Sequence, residues 1–171
     1  YKGIGIQDSS SIIYFGISSD GFHAMILSAT RNTIYIDAVG TEGDRYYTVF
    51  STKDKKDDQN NFTCFVGNGL KEPRGKIRNA NDGKLRTYRL ALAGTGEYSN
   101  FVLDGYTGTT SQKKEKVLAA MTIIVTRING IFEKDFGIYL NLVNNNNDII
   151  YLDKNNDPWN AIVEYNADTQ K

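Results

Sequence analysis

The stretch from Thr109 to Gly137 constrains this chain more than any other part of it. Thr109-Thr110-Ser111-Gln112 has capping-box spacing, with Thr109 as the cap and Gln112 reaching back to it. Val117, Met121, Ile124, Ile128, Ile131 and Phe132 then recur at helical spacing as one apolar stripe. Glu115, Thr122, Thr126, Asn129 and Glu133 fall on the opposite side. Gly137 is placed to stop the helix in a left-handed cap. The spacing predicts a helix from about Thr110 to Asp135, roughly 40 Å long at about 1.5 Å per residue. A helix with one such stripe has to lie on another layer.

The flanking segments suggest what that layer is. In Leu85–Ala93, Tyr88, Leu90 and Leu92 alternate with Thr87, Arg89 and Ala91, the period of a strand. Gly94, Gly96, Gly105 and Gly108 mark a Gly-rich loop. Ile138–Val143 and Asp148–Leu152 read as strands on either side of the Asn144–Asn147 run, itself a loop signature. Strand, long helix, strand implies a right-handed crossover between two parallel strands.

Residues 1–69 have a different character. Ile12–Ile17 and Phe22–Leu27 flank the turn-like Ser18-Ser19-Asp20-Gly21, and Thr33–Ala38, Tyr46–Ser51 and Phe62–Val66 follow at intervals. This pattern predicts a small antiparallel meander. Residues 70–84 contain Pro73, Gly75 and Gly83 among Lys71, Arg74, Lys76, Arg78 and Lys84. They read either as a processing linker, with Arg74, Arg78 and Lys84 as protease targets, or as an ordinary solvated loop. The expected organisation is α+β: a β-rich domain at 1–69, a basic linker at 70–84 and a β-α-β unit at 85–171.

Composition removes several function classes. The chain has 171 residues, and its 20 basic and 20 acidic side chains cancel. A nucleic-acid partner is therefore not expected, because phosphate binding calls for a basic surplus. Val117–Ile128 is too short to span a bilayer and is broken by Arg127, so no membrane span is expected. The start at Tyr1 suggests a processed chain or one cut from a longer protein.

Chemistry-bearing residues are sparse. The single histidine, His23, lies in an expected strand, and there is no His-Glu-x-x-His. A catalytic zinc site needs three protein ligands, so His23 reads as a surface or half-buried side chain rather than a ligand. No nucleophile elbow, phosphate loop or carboxylate pair stands out. The expectation is no catalytic residue and no cofactor in this chain.

The ordered set Leu85–Leu92, Gly94–Tyr98, Thr126–Asp135, Leu140–Val143, Asp148–Asp153 and Asp157-Pro158 closely resembles the opening of the catalytic domain in bacterial reprolysin-like zinc metallopeptidases of the metzincin clan. Gly21–Leu27 and Thr33–Asp37 more weakly resemble strands of the prosegment that precedes it. The resemblance implies a secreted metalloendopeptidase precursor with zinc and a peptide or protein substrate. It also implies that the zinc motif and substrate cleft lie beyond Lys171. The expected partner of this chain is then the remaining catalytic polypeptide or a copy of itself.

Within that resemblance Cys64, the only cysteine, has two readings. It is an inhibitory zinc ligand in the full precursor, or a buried strand residue alternating with Phe62 and Val66. The competing functions are a non-enzymatic binding or adhesion module and a propeptide-like protease inhibitor.

Overall fold

A computed structural model describes residues 1–40, 46–54 and 82–158. Strands β1 (Lys2–Ile4), β2 (Ile12–Ser18), β3 (Gly21–Leu27), β4 (Ile34–Val39) and β5 (Tyr46–Ser51) form an antiparallel sheet in sequence order. This is the expected meander, with β1 as an edge strand that the sequence pattern did not indicate. The expected strand at Phe62–Val66 lies outside the described residues.

Two faces follow from the register. Tyr14 sits opposite Met25, and Met25 opposite Tyr35, with Phe50 stacked on Tyr35 at 5.3 Å; these side chains share the face that meets the long helix. The alternate residues point the other way. Ile13, Ile26 and Ile34 make one cross-strand row of that outer face, and Phe15, Ala24, Ile36 and Val49 make the next. Phe22 pairs with Ile17 and meets Tyr47 edge-on at 6.4 Å.

In the second half, β6 (Arg86–Leu90) and β7 (Ile138–Leu142) pair in parallel, joined through α2 (Thr110–Phe136). The parallel β-α-β pattern is therefore present, and α+β describes the architecture. The capping box is present in full, and Gly137 closes α2 in the left-handed conformation at φ 62°.

Three local expectations need correction. The Gly-rich loop contains a helix, α1 (Gly96–Leu103). Asp148–Leu152 is not a strand; a short 3-10 turn occupies Asn146–Ile149, and Ile150 makes only an isolated bridge to Gly94. The buried residues of α2 are Val117, Met121, Val125, Asn129 and Gly130, while Ile124 and Ile131 are each 42% exposed. The reason is that α2 is covered on two sides. Val117 and Met121 pack with Ile150 beside α1 and the second sheet, whereas Gly130 lies against Tyr14 and Met25 of the first. Ile124 and Ile131 fall on the ridge between these two faces. Each fully buried apolar side chain in this core contributes about 1.5–3 kcal/mol.

Polar side chains complete the second half. The Asn129 amide donates to the Leu140 carbonyl at 2.8 Å and accepts from the Leu140 N–H at 2.7 Å, fixing β7 to α2. Thr95 caps α1, and buried Asp157 accepts from the Gly96 N–H at 2.9 Å. Any side chain at Gly96 would collide with the backbone at Asp153 and Lys154.

Candidate functional site at the sheet–helix interface

His23 and several charged side chains converge where the five-stranded sheet meets α2. Helical spacing puts Lys116, Ile123, Arg127, Gly130 and Glu133 along one side of the helix, and the sheet lies across that side. Gly130 is the point of closest approach. A Cβ there would stand 2.5 Å from Met25 Cε and 2.9 Å from Tyr14 Cδ2, so only glycine admits both side chains.

Asp37, on β4, is the polar centre. It accepts a hydrogen bond from the Arg127 guanidinium of α2, and its Oδ1 lies 2.9 Å from His23 Nδ1. The guanidinium also sits over the Tyr35 ring, 5.2 Å from its centroid. One carboxylate therefore joins two strands to the helix. His23 Nε2 and Arg127 Nε are buried without a hydrogen-bond partner among the described residues, and both residues border a cavity of about 40 Å³ that Thr122 and Thr126 also line.

Two further ion pairs flank this centre. Lys116 reaches Asp20 at 2.8 Å and sits over the Tyr106 ring. They line an open cleft of about 750 Å³ with His23, Gln112 and Glu115. Farther along the helix Lys2 pairs with Glu133. The Glu133 hydrogen bond raises the Lys2 pKa, and burial, followed by the Glu133 charge, pushes the Tyr14 phenol up. The arrangement binds one layer to another through a partly desolvated charge cluster.

The sequence-derived candidates distribute unevenly. Cys64, Arg74 and Arg78 lie outside the described residues. Lys84 is exposed just before β6, its N–H donating to Asp82 and its carbonyl accepting from Arg86. His23 has Nδ1 engaged by Asp37 and Nε2 buried against α2. Among the described residues no three His, Cys, Asp or Glu side chains converge as metal ligands would. The described residues therefore do not fit a zinc site. Asp37 and Arg127 were not singled out from sequence: they are 90 positions apart, and no local signal links them.

Residues 84–170 match the family model of the reprolysin-like metallopeptidases, metallo-peptidase family M12B. The chain belongs to this family. No curated protein and no solved structure matches it. The reprolysin-like region contains β6, α1, α2, β7 and the 3-10 turn, while the five-stranded sheet comes from the residues before it. The Asp37–Arg127 contact thus joins the reprolysin-like region to the segment preceding the match.

Proposed function

We propose that this chain is the N-terminal portion of a secreted bacterial zinc metalloendopeptidase precursor. In this reading residues 1–69 are a prosegment that assists folding and holds latency, 70–84 carry the processing site, and 85–171 open the catalytic domain. The observation that supports it best is the seating of the five-stranded sheet on α2, the longest element of the reprolysin-like region. In this reading the prosegment templates folding by covering apolar surface of the catalytic half, and the close approach of Tyr14 and Met25 to Gly130 supports it. Zinc, the general base and the peptide-binding cleft belong to later polypeptide in this proposal. Cys64 is the thiolate that such a precursor would use for latency.

The test is to nick the full chain between residues 70 and 84 with trypsin and separate the pieces in denaturant. They are then refolded apart and together. The expected result is that the helix-bearing piece regains cooperative melting only with the sheet-bearing piece present. Independent refolding of both pieces would remove the prosegment role.

A further inference from the structure

The turn that closes α1 carries a separate inference, which goes beyond the metallopeptidase reading and does not depend on it. We propose that Asp104 is a modification site, the residue at which the folded chain converts aspartate to isoaspartate.

Asp104 is the C-cap of α1, at φ 26° and ψ 67°. Among the described residues it is the one non-glycine residue with positive φ, and that angle lies below even the usual left-handed range of about 50–70°. Asp enters this region more readily than most residues, but still at a cost in strain that the fold has to hold. Gly105 follows at φ 79°, with nothing within 4 Å of the point where a side chain would start. Both residues are exposed.

An Asp-Gly dipeptide is prone to ring closure, because glycine has no side chain to hinder attack by its nitrogen. The Gly105 nitrogen attacks Asp104 Cγ and an N–Cγ bond forms. The carboxyl hydroxyl leaves with the N–H proton as water, and the product is a five-membered succinimide. Water then adds to one of the two ring carbonyls and reopens the ring. Addition at the main-chain carbonyl breaks the bond between that carbon of Asp104 and the Gly105 nitrogen, so the chain now runs through Cγ. The product is isoaspartate, of unchanged mass and with one methylene more in the backbone. Water is the only co-reactant, and this turn is open to it.

The fold disfavours the same reaction elsewhere. Asp-Gly occurs at 20, 82 and 104. Asp20 accepts from Lys116 at 2.8 Å, and Gly21 is paired with Ser18 at the start of β3. Asp82 accepts from both terminal nitrogens of Arg86 and from the Lys84 N–H. Asn129-Gly130, which would reach the same ring by losing ammonia, is held inside α2 with both amide atoms bonded to Leu140. By contrast, the Asp104 carboxylate has no hydrogen bond or ion pair among the described residues, and the Gly105 N–H has no partner there either. Bringing that nitrogen onto Cγ requires the Asp104–Gly105 peptide to swing about ψ. The swing gives up the bond from the Tyr106 N–H to the Leu103 carbonyl and relieves the strain at Asp104.

The test is to incubate the intact chain at neutral pH and physiological temperature, then map its peptides with electron-transfer fragmentation. Isoaspartate at 104 should accumulate about an order of magnitude faster than at 20 or 82. A parallel incubation in urea removes the fold, and there the three dipeptides should react at rates within about twofold of one another. Asn68-Gly69 lies outside the described residues and is scored apart, since loss of ammonia changes its mass. Equal accumulation at the three sites of the folded chain overturns the proposal, as does faster reaction at 20 or 82. So does an unreacted Asp104 in the folded chain while the urea sample isomerises. An excess at 104 that persists unchanged in urea overturns it too, because the selectivity would then belong to the sequence and not to the turn.

Discussion

The side-chain amide of Asn146 pairs with both backbone groups of Leu92, accepting from its N–H at 2.8 Å and donating to its carbonyl at 2.9 Å. Asn146 is fully buried, so it acts as a substitute strand neighbour just beyond β6. Asn129 does the same for Leu140 of β7. Two asparagines thus complete hydrogen bonding around a sheet that has two strands among the described residues.

Replacing Asn129 with Leu should destabilise the chain by about 2–4 kcal/mol, since two Leu140 backbone groups lose their partner inside the protein. Urea unfolding measures it. A loss below about 0.5 kcal/mol would mean water replaces the amide without penalty.

Gly130→Val should cost about 2–3 kcal/mol, because the added methyls overpack buried Tyr14 and Met25. Thermal melting of the intact chain reads the effect, with Ile131→Val on the exposed ridge as a control expected within about 0.5 kcal/mol.

Asp37→Asn should cost about 1.5–3 kcal/mol, the range for a hydrogen bond to a charged group. It leaves the Arg127 charge uncompensated in a partly buried position. The double variant with Arg127→Leu should be less destabilised than the sum of the single losses, and a double-mutant cycle measures that coupling. Additive losses would show that the pair contributes nothing as a pair.

Acid should loosen the loop that precedes β2. Asp8 accepts hydroxyls from Ser10, Ser11 and Ser28, and these bonds hold its carboxyl well below the ordinary range. A depressed folded pKa contributes stability that is complete above the unfolded value, near 4. That stability is lost as pH falls through the folded value. Asp8→Asn should flatten the acid limb of the stability profile below about pH 4. Superimposable limbs would show that Asp8 is not linked to folding.

Chelation should leave the melting of this chain unchanged. The whole sequence holds one histidine and one cysteine, too few for a zinc site of three or four nitrogen or sulfur ligands. A lowered melting temperature in EDTA, restored by zinc, would contradict this.

The long helix was legible because its signals are local. Thr109, Gln112 and Gly137 act within one turn of the termini they cap, and the meander follows from alternation and turns. Helix α1 was hidden because glycines at 94, 96, 105 and 108 resemble a loop. Eight residues are too few to hold a helix alone, and α1 depends on Asp157, 61 positions from Gly96. Asp148–Leu152 has the apolar composition of a strand, yet the pinning of Asn146 to Leu92 turns the chain there and sends Ile150 into the core.

By itself, then, the sequence determined element types, the caps and the parallel β-α-β order, since short-range sterics and hydrophobic period decide these. It also carried the reprolysin-like resemblance, through an ordered set of short segments. Only the tertiary structure decided which side of α2 is buried, which asparagines are interior and that Asp37 meets Arg127. Those outcomes depend on two sheets closing on one helix. Desolvation then favours a hydrogen-bonded Asn129 and a bare Gly130 over the more hydrophobic Ile124 and Ile131, which neither sheet covers.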